Sequence, residues 1–264
     1  MLNNIIHKIS AERVDIENPF LPPFFYQQQK AYTFCLQFVR DKTVLEVGSG
    51  SGYGAHRLAK SAKNVLGIDS DEIAVKEGMR RYSSGNLKFV CSKIEDYNAK
   101  QKFDVVVAFQ VLEHVENPQA FLKKMASLKK KDGLLLISTP NKDTQSYNEN
   151  PYHYREYSFV ELNNILFKYF TEIKFYSLLG DNVVKKFEKM RRKHVLKMLK
   201  KDRFKLRRFV PRRFKQAIFN FVSFFNRVLY LQKNKKINSK ISEVNYRIVG
   251  KPMSDSIDII AVTR

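Results

Sequence analysis

Cysteine is nearly absent: Cys35 and Cys91 are the only two in 264 residues. They fit no zinc-ligand spacing, and the reading they support is two buried thiols in a reducing compartment. Long apolar runs are missing too. No stretch of 18 apolar residues occurs, and the N-terminus lacks the charged-then-apolar pattern of a secretory signal. The expected location is therefore cytoplasmic, with peripheral attachment at the inner membrane face left open. Internal repeats and Gly/Ser linkers are also lacking. Acidic residues are scarce: 26 Asp and Glu stand against 48 Lys and Arg, giving a formal charge of +22 and a pI near 9.9. Such an imbalance calls for an acidic partner, either nucleic acid or an anionic membrane. What the chain does have is 44% hydrophobic residues, enough for a substantial core.

The charge is concentrated. Between Lys185 and Lys240 there are 21 Lys or Arg against two acids, Glu188 and Asp202, leaving the other 208 residues close to neutral. This break divides the chain into 1–182, a basic helical module over 183–245, and a final core strand within 246–264.

From residue 43 to 180 short apolar runs alternate with helical patterns, the signature of a parallel α/β sheet. Strands are expected at Thr43–Val47, Asn64–Ile68, Leu87–Cys91, Phe103–Phe109, Gly133–Ser138 and Glu172–Leu178. A last strand is expected at Ser256–Thr263, after the basic module. Phe103–Phe109 is apolar but for Asp104, as a strand covered on both faces should be. The fold class is α/β, a doubly wound Rossmann-like sheet of about seven strands with a basic helical insertion before the last.

Directly after the first strand, Gly48, Gly50 and Gly52 alternate with Ser49 and Ser51 ahead of a helix. Glycines there permit positive φ and close approach of backbone to a ligand. Alone, such a loop separates no nucleoside ligand from another. Asp69 stands about 20 residues on at the end of the second strand, placed for both ribose hydroxyls; the competing role is a helix cap with Ser70 and Asp71. Glu46 precedes the loop, suited to anchoring it or holding a cationic ligand end.

With these motifs in order, the chain resembles the class I S-adenosylmethionine-dependent methyltransferases. The resemblance runs from about Glu12 to Gly180 and resumes at the last strand. It rests on Val44–Tyr53, Val65–Asp69, Gln110-Val111-Leu112-Glu113-His114-Val115 and the Ser-Thr-Pro-Asn ending at Asn141. It implies that Glu46, Gly48, Ser49, Gly50 and Gly52 cradle the methionine part and that Asp69, followed by Ser70, takes the ribose. Ser92 and Ile94 fall at the adenine end, and Gln110 falls near the methionine end. The opening segment Ala11–Glu17 and the loop Asn150–Ser158 resemble a subgroup, of the type 11/23 kind, associated with bacterial surface-glycan biosynthesis.

Two places could run the chemistry. Glu113 and His114 follow the fourth strand, where His114 could act as base or the pair could brace the next helix. No further cluster of metal-ligand spacing accompanies them, so no metal is assigned. The loop Tyr152-His153-Tyr154-Arg155-Glu156-Tyr157 is aromatic and polar. His153 is the preferred base, with Tyr152, Arg155, Glu156 and Tyr157 as acceptor contacts, against a plain surface loop. Phe20–Tyr32 reads as a lid helix with Phe25 and Tyr26 facing inward, or packed in the core.

In the basic module Phe214, Ala217, Ile218, Phe221, Val222, Phe225, Val228 and Leu229 recur at helical spacing among Arg212, Arg213, Lys215 and Arg227. A stripe of this kind favours an anionic membrane surface through 185–240, or a lipid-linked substrate, over RNA or a merely solvated subdomain. The expected activity is methyl transfer to a hydroxyl of a sugar, glycan or glycolipid. RNA, quinone or another small-molecule acceptor, an NAD-dependent oxidoreductase, and an inactive binding protein remain as alternatives.

Overall fold

The structure is a computed structural model and describes residues 22–99, 101–145, 150, 152–201 and 239–264. The opening segment Ala11–Glu17 and the apolar stripe Phe214–Leu229 lie outside the described residues.

The elements follow in the order α1 (Pro22–Val39), β1 (Thr43–Val47), α2 (Tyr53–Ala59), β2 (Asn64–Asp69), α3 (Glu72–Arg81), β3 (Leu87–Cys91) and β4 (Phe103–Phe109). A 3₁₀ turn (Leu112–His114), α4 (Pro118–Leu128), β5 (Lys129–Pro140), a short α5 (Lys142–Gln145), α6 (Phe159–Leu166), β6 (Ile173–Gly180) and α7 (Asn182–Lys201) come next. β7 (Tyr246–Val249) and β8 (Asp258–Thr263) close the described chain. The strands form one sheet in the order β3-β2-β1-β4-β5-β8-β6-β7. β3 through β5 run parallel, while β8 lies antiparallel between β5 and β6.

The sheet thus has eight strands rather than about seven. The strand missed from the sequence, β7, is four residues long, too short to show a period, and pairs antiparallel with β6 at the sheet edge. β8 is last in sequence but interior in the sheet. All six of its residues are buried, with Ile260 and Val262 in one core and Ile259 and Ala261 in the other.

Strand alternation distributes the two cores. Val105, Val107 and Phe109 face α1, α2 and α7, while Val106 and Ala108 face α4 and α6. Caps fix where helices begin: Asp71 accepts from Ile73 and Ala74 N–H at α3, and Ser158 forms a capping box with Glu161 at α6. The helix cap considered for Asp69 is thus performed by Asp71. The expectation of two buried thiols is corrected: Cys35, on α1, is buried, but Cys91 ends the edge strand β3 and is exposed.

Part of the segment assigned to the basic module is anchored on the core. Val184 and Phe187 of α7 are buried there, and Arg191 lies over the ring of Phe24 at 5.2 Å. On the far side of the module Ile241 is buried, and Glu243 accepts from Thr33 and pairs with Arg57. Among the described residues no helix is long and apolar enough to cross a membrane.

Asp104 ties three elements together at the start of β4. Its Oδ2 accepts from Thr43 N–H at 2.9 Å and Thr43 Oγ1 at 2.6 Å, and its Oδ1 accepts from Lys130 Nζ at 2.8 Å. Burial pushes this carboxyl up, but the Lys130 and Thr43 bonds outweigh it and hold it at about 2. A depressed carboxyl stabilises the fold above its unfolded value of 3.8 and loses that contribution as pH falls toward 2. Asp104→Asn is therefore expected to cost about 1–2 kcal/mol in urea unfolding at pH 7, after allowance for solvent around Lys130. The difference should vanish near pH 2; one that persisted there would point to packing instead.

Candidate active site

The chain leaves β1 toward β2 and β3, then crosses back to place β4 on β1's other side. At that switch point the loops after β1 and β4 meet at the carboxyl ends of parallel strands, where open α/β sheets bind ligands. The contact is close: a Cβ on Gly48 would stand 2.4 Å from Val111 Cγ2.

Gly48, Gly50 and Gly52 all hold positive φ, at 72°, 52° and 85°, which L side chains rarely adopt. Gly48 N–H and Ser49 N–H donate to Ile68 carbonyl, locking the loop to the end of β2. Asp69 completes the clamp. Its Oδ2 accepts from Gly50 N–H at 2.8 Å and its Oδ1 from Asp71 N–H at 2.9 Å, so the carboxylate sits beside the loop at the strand end.

Below the loop lies Glu46, 1% exposed. Tyr32 from α1 donates its hydroxyl to Glu46 Oε1 at 2.5 Å. Burial pushes the Glu46 carboxyl up to about 8, against the pull of Tyr32 and the Ala55 N–H. Glu46 Oε2 and Ser49 Oγ are buried and have no hydrogen-bond partner among the described residues. Further along the loop, a Cβ on Gly50 would find nothing within 4 Å. An unpaired buried carboxylate oxygen is costly unless a donor or cation meets it. With an open cradle alongside and Asp69 at the rim, these residues fit a nucleoside ligand carrying a cationic tail.

Ser92 N–H donates to Asp69 carbonyl at 2.9 Å, which holds the two predicted ligand positions together. Ser70 is exposed at the rim, and Ile94 is buried in the core on the α4 side. Gln110 has φ 56°, and its N–H and Nε2 both reach Ser138, by the carbonyl at 2.9 Å and the hydroxyl at 3.3 Å. The Phe25 ring lies tilted against Tyr53, the first residue of α2, with centroids 5.1 Å apart, and Tyr26 packs against the core.

The two separate reaction patches of the sequence are one patch in space. The stretch 152–157 is strapped to the turn after β4 by Tyr154 N–H donating to Glu113 carbonyl at 2.7 Å. His114 and His153 meet edge to face with centroids 4.9 Å apart. His114 Nδ1 is 3.3 Å from Tyr152 carbonyl, and His153 Nδ1 is 3.0 Å from Glu156 Oε1. Glu113 is buried, its Oε2 accepting from Thr139 Oγ1 at 3.0 Å, and burial pushes its carboxyl up to about 8. Tyr157 is buried with an unpartnered hydroxyl, and the nearby Glu113 charge helps push its phenol up, after burial itself. Arg155, expected as an acceptor contact, also has partners within the chain. It is exposed, pairs with Glu161 at 3.2 Å and lies over the Tyr157 ring.

Three site residues, Tyr32, Gln27 and Asp258, escaped the sequence reading, and Thr139 entered it only as part of the Ser-Thr-Pro-Asn motif. Tyr32 and Thr139 hold Glu46 and Glu113. Asp258 on β8 pairs in register with Pro140, and Gln27 of α1 donates to its Oδ2 at 2.7 Å. Burial pushes the Asp258 carboxyl up to about 7. Only the strand alternation at Asp258, acidic where apolar is expected, could have flagged one of them.

Comparison with known proteins bears on the family and the fold. A family profile described as "Methyltransferase domain" matches residues 25–182. A Mycobacterium tuberculosis protein named "Probable S-adenosylmethionine-dependent methyltransferase" is 34% identical over 158 residues, covering 58% of this chain and 56% of that protein. A Coxiella burnetii protein named "Ubiquinone biosynthesis O-methyltransferase" is 35% identical over 112 residues, 41% of this chain and 48% of that one. The chain thus spans about half the length of the curated relatives it matches. Among solved structures, a SAM-dependent methyltransferase from Thermotoga maritima superposes with a TM-score of 0.57 at 16% identity, covering 91% of both chains. The YcgJ protein of Bacillus subtilis gives 0.52 at 16% identity over 64% of this chain and 82% of that one. At such identities these two speak for the fold.

Proposed function

The chain belongs to the methyltransferase-domain family, whose cofactor is S-adenosylmethionine, and from that premise we propose that it methylates a hydroxyl of a sugar or glycolipid held at an anionic membrane face. The observation that carries the cofactor half is Glu46 Oε2, buried and unpartnered two residues before the glycine loop. S-adenosylmethionine supplies a methyl carbon on a positively charged sulfur, and the acceptor oxygen bonds to that carbon as the carbon–sulfur bond breaks toward sulfur. Glu46 holds the ammonium of the methionine part, Asp69 takes the ribose hydroxyls, and Gln110 borders the methionine end. Ser92 borders the adenine.

A neutral hydroxyl must lose its proton as it is methylated. His153 is the group to receive it, because donation of Nδ1–H to Glu156 presents the Nε2 lone pair. Tyr152 and Tyr157 border the acceptor. A phenolic hydroxyl of a quinone precursor is the second reading, favoured by the relatives named for ubiquinone biosynthesis.

The membrane side of the reading rests on α7, where Lys186, Lys189, Arg192, Lys193 and Lys197 are exposed. Each basic residue near an anionic bilayer adds roughly 1 kcal/mol. Incubating extracts with the protein and methyl-labelled S-adenosylmethionine should place label in lipid-extractable glycan. Label in quinone supports the second reading, and label in RNA or nowhere sinks both. Flotation with anionic vesicles should be lost on K189E/R192E/K193E/K197E; an RNA gel shift lost instead assigns the charge to nucleic acid.

A further inference from the structure

Glu113 and His114 alone make a poor metal site, and no third ligand stands at suggestive spacing in the sequence. The fold brings one from beyond β5. One potential ligand atom from each of Glu113, His114 and His153 lies within 4.8 Å of the other two.

We propose that Glu113, His114 and His153 bind one transition-metal dication of the zinc type, and that the acceptor hydroxyl completes its coordination. Two imidazoles and one carboxylate are the ligands that zinc, iron or cobalt prefer, whereas magnesium and calcium select oxygen alone. Each ligand is held from behind. Thr139 Oγ1 donates to Glu113 Oε2, while Tyr152 carbonyl and Glu156 Oε1 face the Nδ1 atoms of His114 and His153. An imidazole that donates Nδ1–H to an outer oxygen carries its lone pair on Nε2, and this outer support is what orients metal-bound histidines.

The site is also asymmetric in the way a catalytic metal requires. Glu113 is buried, but both histidines are only half-buried, so one side opens toward the acceptor region. Four residues on from His153, the Tyr157 hydroxyl is buried without a hydrogen-bond partner. Zinc bonds of about 2.0–2.2 Å put ligand atoms roughly 3.3–3.5 Å apart, so the three need close by little more than 1 Å.

The role of the cation in turnover rests on the methyl-transfer reading; its binding does not. Coordination lowers the pKa of a bound hydroxyl. The hydroxyl proton passes to water, the oxygen pair attacks the methyl carbon, and the carbon–sulfur pair leaves with sulfur. His153 is then a ligand and no longer the proton acceptor.

Cobalt(II) titration of tag-free, chelator-treated full-length protein tests this through its visible d–d bands. One equivalent should bind with the band intensity of a four- or five-coordinate nitrogen–oxygen site. Equimolar zinc should displace it, and millimolar magnesium should not. His114→Ala and His153→Ala should each lower cobalt affinity at least a hundredfold, and Glu156→Gln about ten- to a hundredfold. S-adenosylmethionine affinity and far-ultraviolet circular dichroism, read on the same variants, should stay as in the parent. Absence of the bands while S-adenosylmethionine still binds overturns the metal site and spares the methyl-transfer reading. Bands that survive all three substitutions place the cobalt elsewhere and also overturn it. Cobalt binding in a protein that fails to bind S-adenosylmethionine sustains the site and sinks the methyl-transfer reading.

Discussion

Glu46→Gln is expected to weaken S-adenosylmethionine binding about thirtyfold to a thousandfold, equivalent to roughly 2–4 kcal/mol. The substitution keeps shape and the acceptor toward Tyr32 but removes the charge facing the ligand ammonium. The parent protein should show a linked proton. Its Glu46 carboxyl, raised to about 8 by burial, is mostly protonated at pH 7. Binding a cation demands the ionised form, so close to one proton should leave per cofactor bound at pH 7, and almost none well above pH 8. Calorimetry in two buffers of different protonation enthalpy reads this directly. Glu46→Gln should erase the buffer dependence; a parent protein without any would dissociate Glu46 from the ligand. The same carboxyl sets a stability trend in the free protein. Folded Glu46 keeps its proton from the ordinary value of 4.5 up to about 8, whereas the unfolded chain releases it. Its contribution therefore falls as pH rises through that window, and bound cofactor should flatten the decline.

Much of this was legible because the parallel sheet writes itself plainly. Strands covered on both faces are nearly continuous apolar runs, so Phe103–Phe109 and Thr43–Val47, broken only by Asp104 and Glu46, match their observed bounds. The glycine loop, Glu46 and Asp69 are legible because a turn with three positive φ values leaves few residue choices. What stayed hidden depends on contacts distant in sequence. His153 reaches Glu113 and His114 only through the strap from Tyr154 to the Glu113 carbonyl, and no period encodes a strap. Tyr32 looked like one more aromatic in an aromatic-rich helix, and its hydrogen bond depends on how α1 lies across β1. Arg155 has partners of its own that its loop does not announce. A basic residue in a polar loop reads as a ligand contact, yet the capping residue Glu161 draws it to α6. Cys91 was misread because only the strand order tells an edge from an interior.

The glycine loop separates folding from binding when two of its residues are replaced by alanine. At Gly52, φ is 85° and the new Cβ would meet Phe89 Cζ at 2.5 Å and the backbone of Gly78 at 3.2 Å. Left-handed strain of about 1–2 kcal/mol adds to overpacking of about 1–3 kcal/mol. Gly52→Ala should therefore cost roughly 2–5 kcal/mol of a total that for most domains is about 5–15 kcal/mol. At Gly50 the strain is similar, but the Cβ points into open space. Gly50→Ala should lower Tm by only about 2–8 °C. Its methyl group nevertheless stands in the cradle next to the Asp69 clamp, and S-adenosylmethionine affinity should fall at least tenfold. Thermal unfolding with and without cofactor reads both terms, because a ligand at a hundred times its Kd adds about 2.7 kcal/mol to the folded state. Gly50→Ala should unfold near the parent temperature without cofactor and lose most of the upward shift with it. If it keeps the full shift, the space beside Gly50 is not where the cofactor lies, and the glycines there serve only the turn.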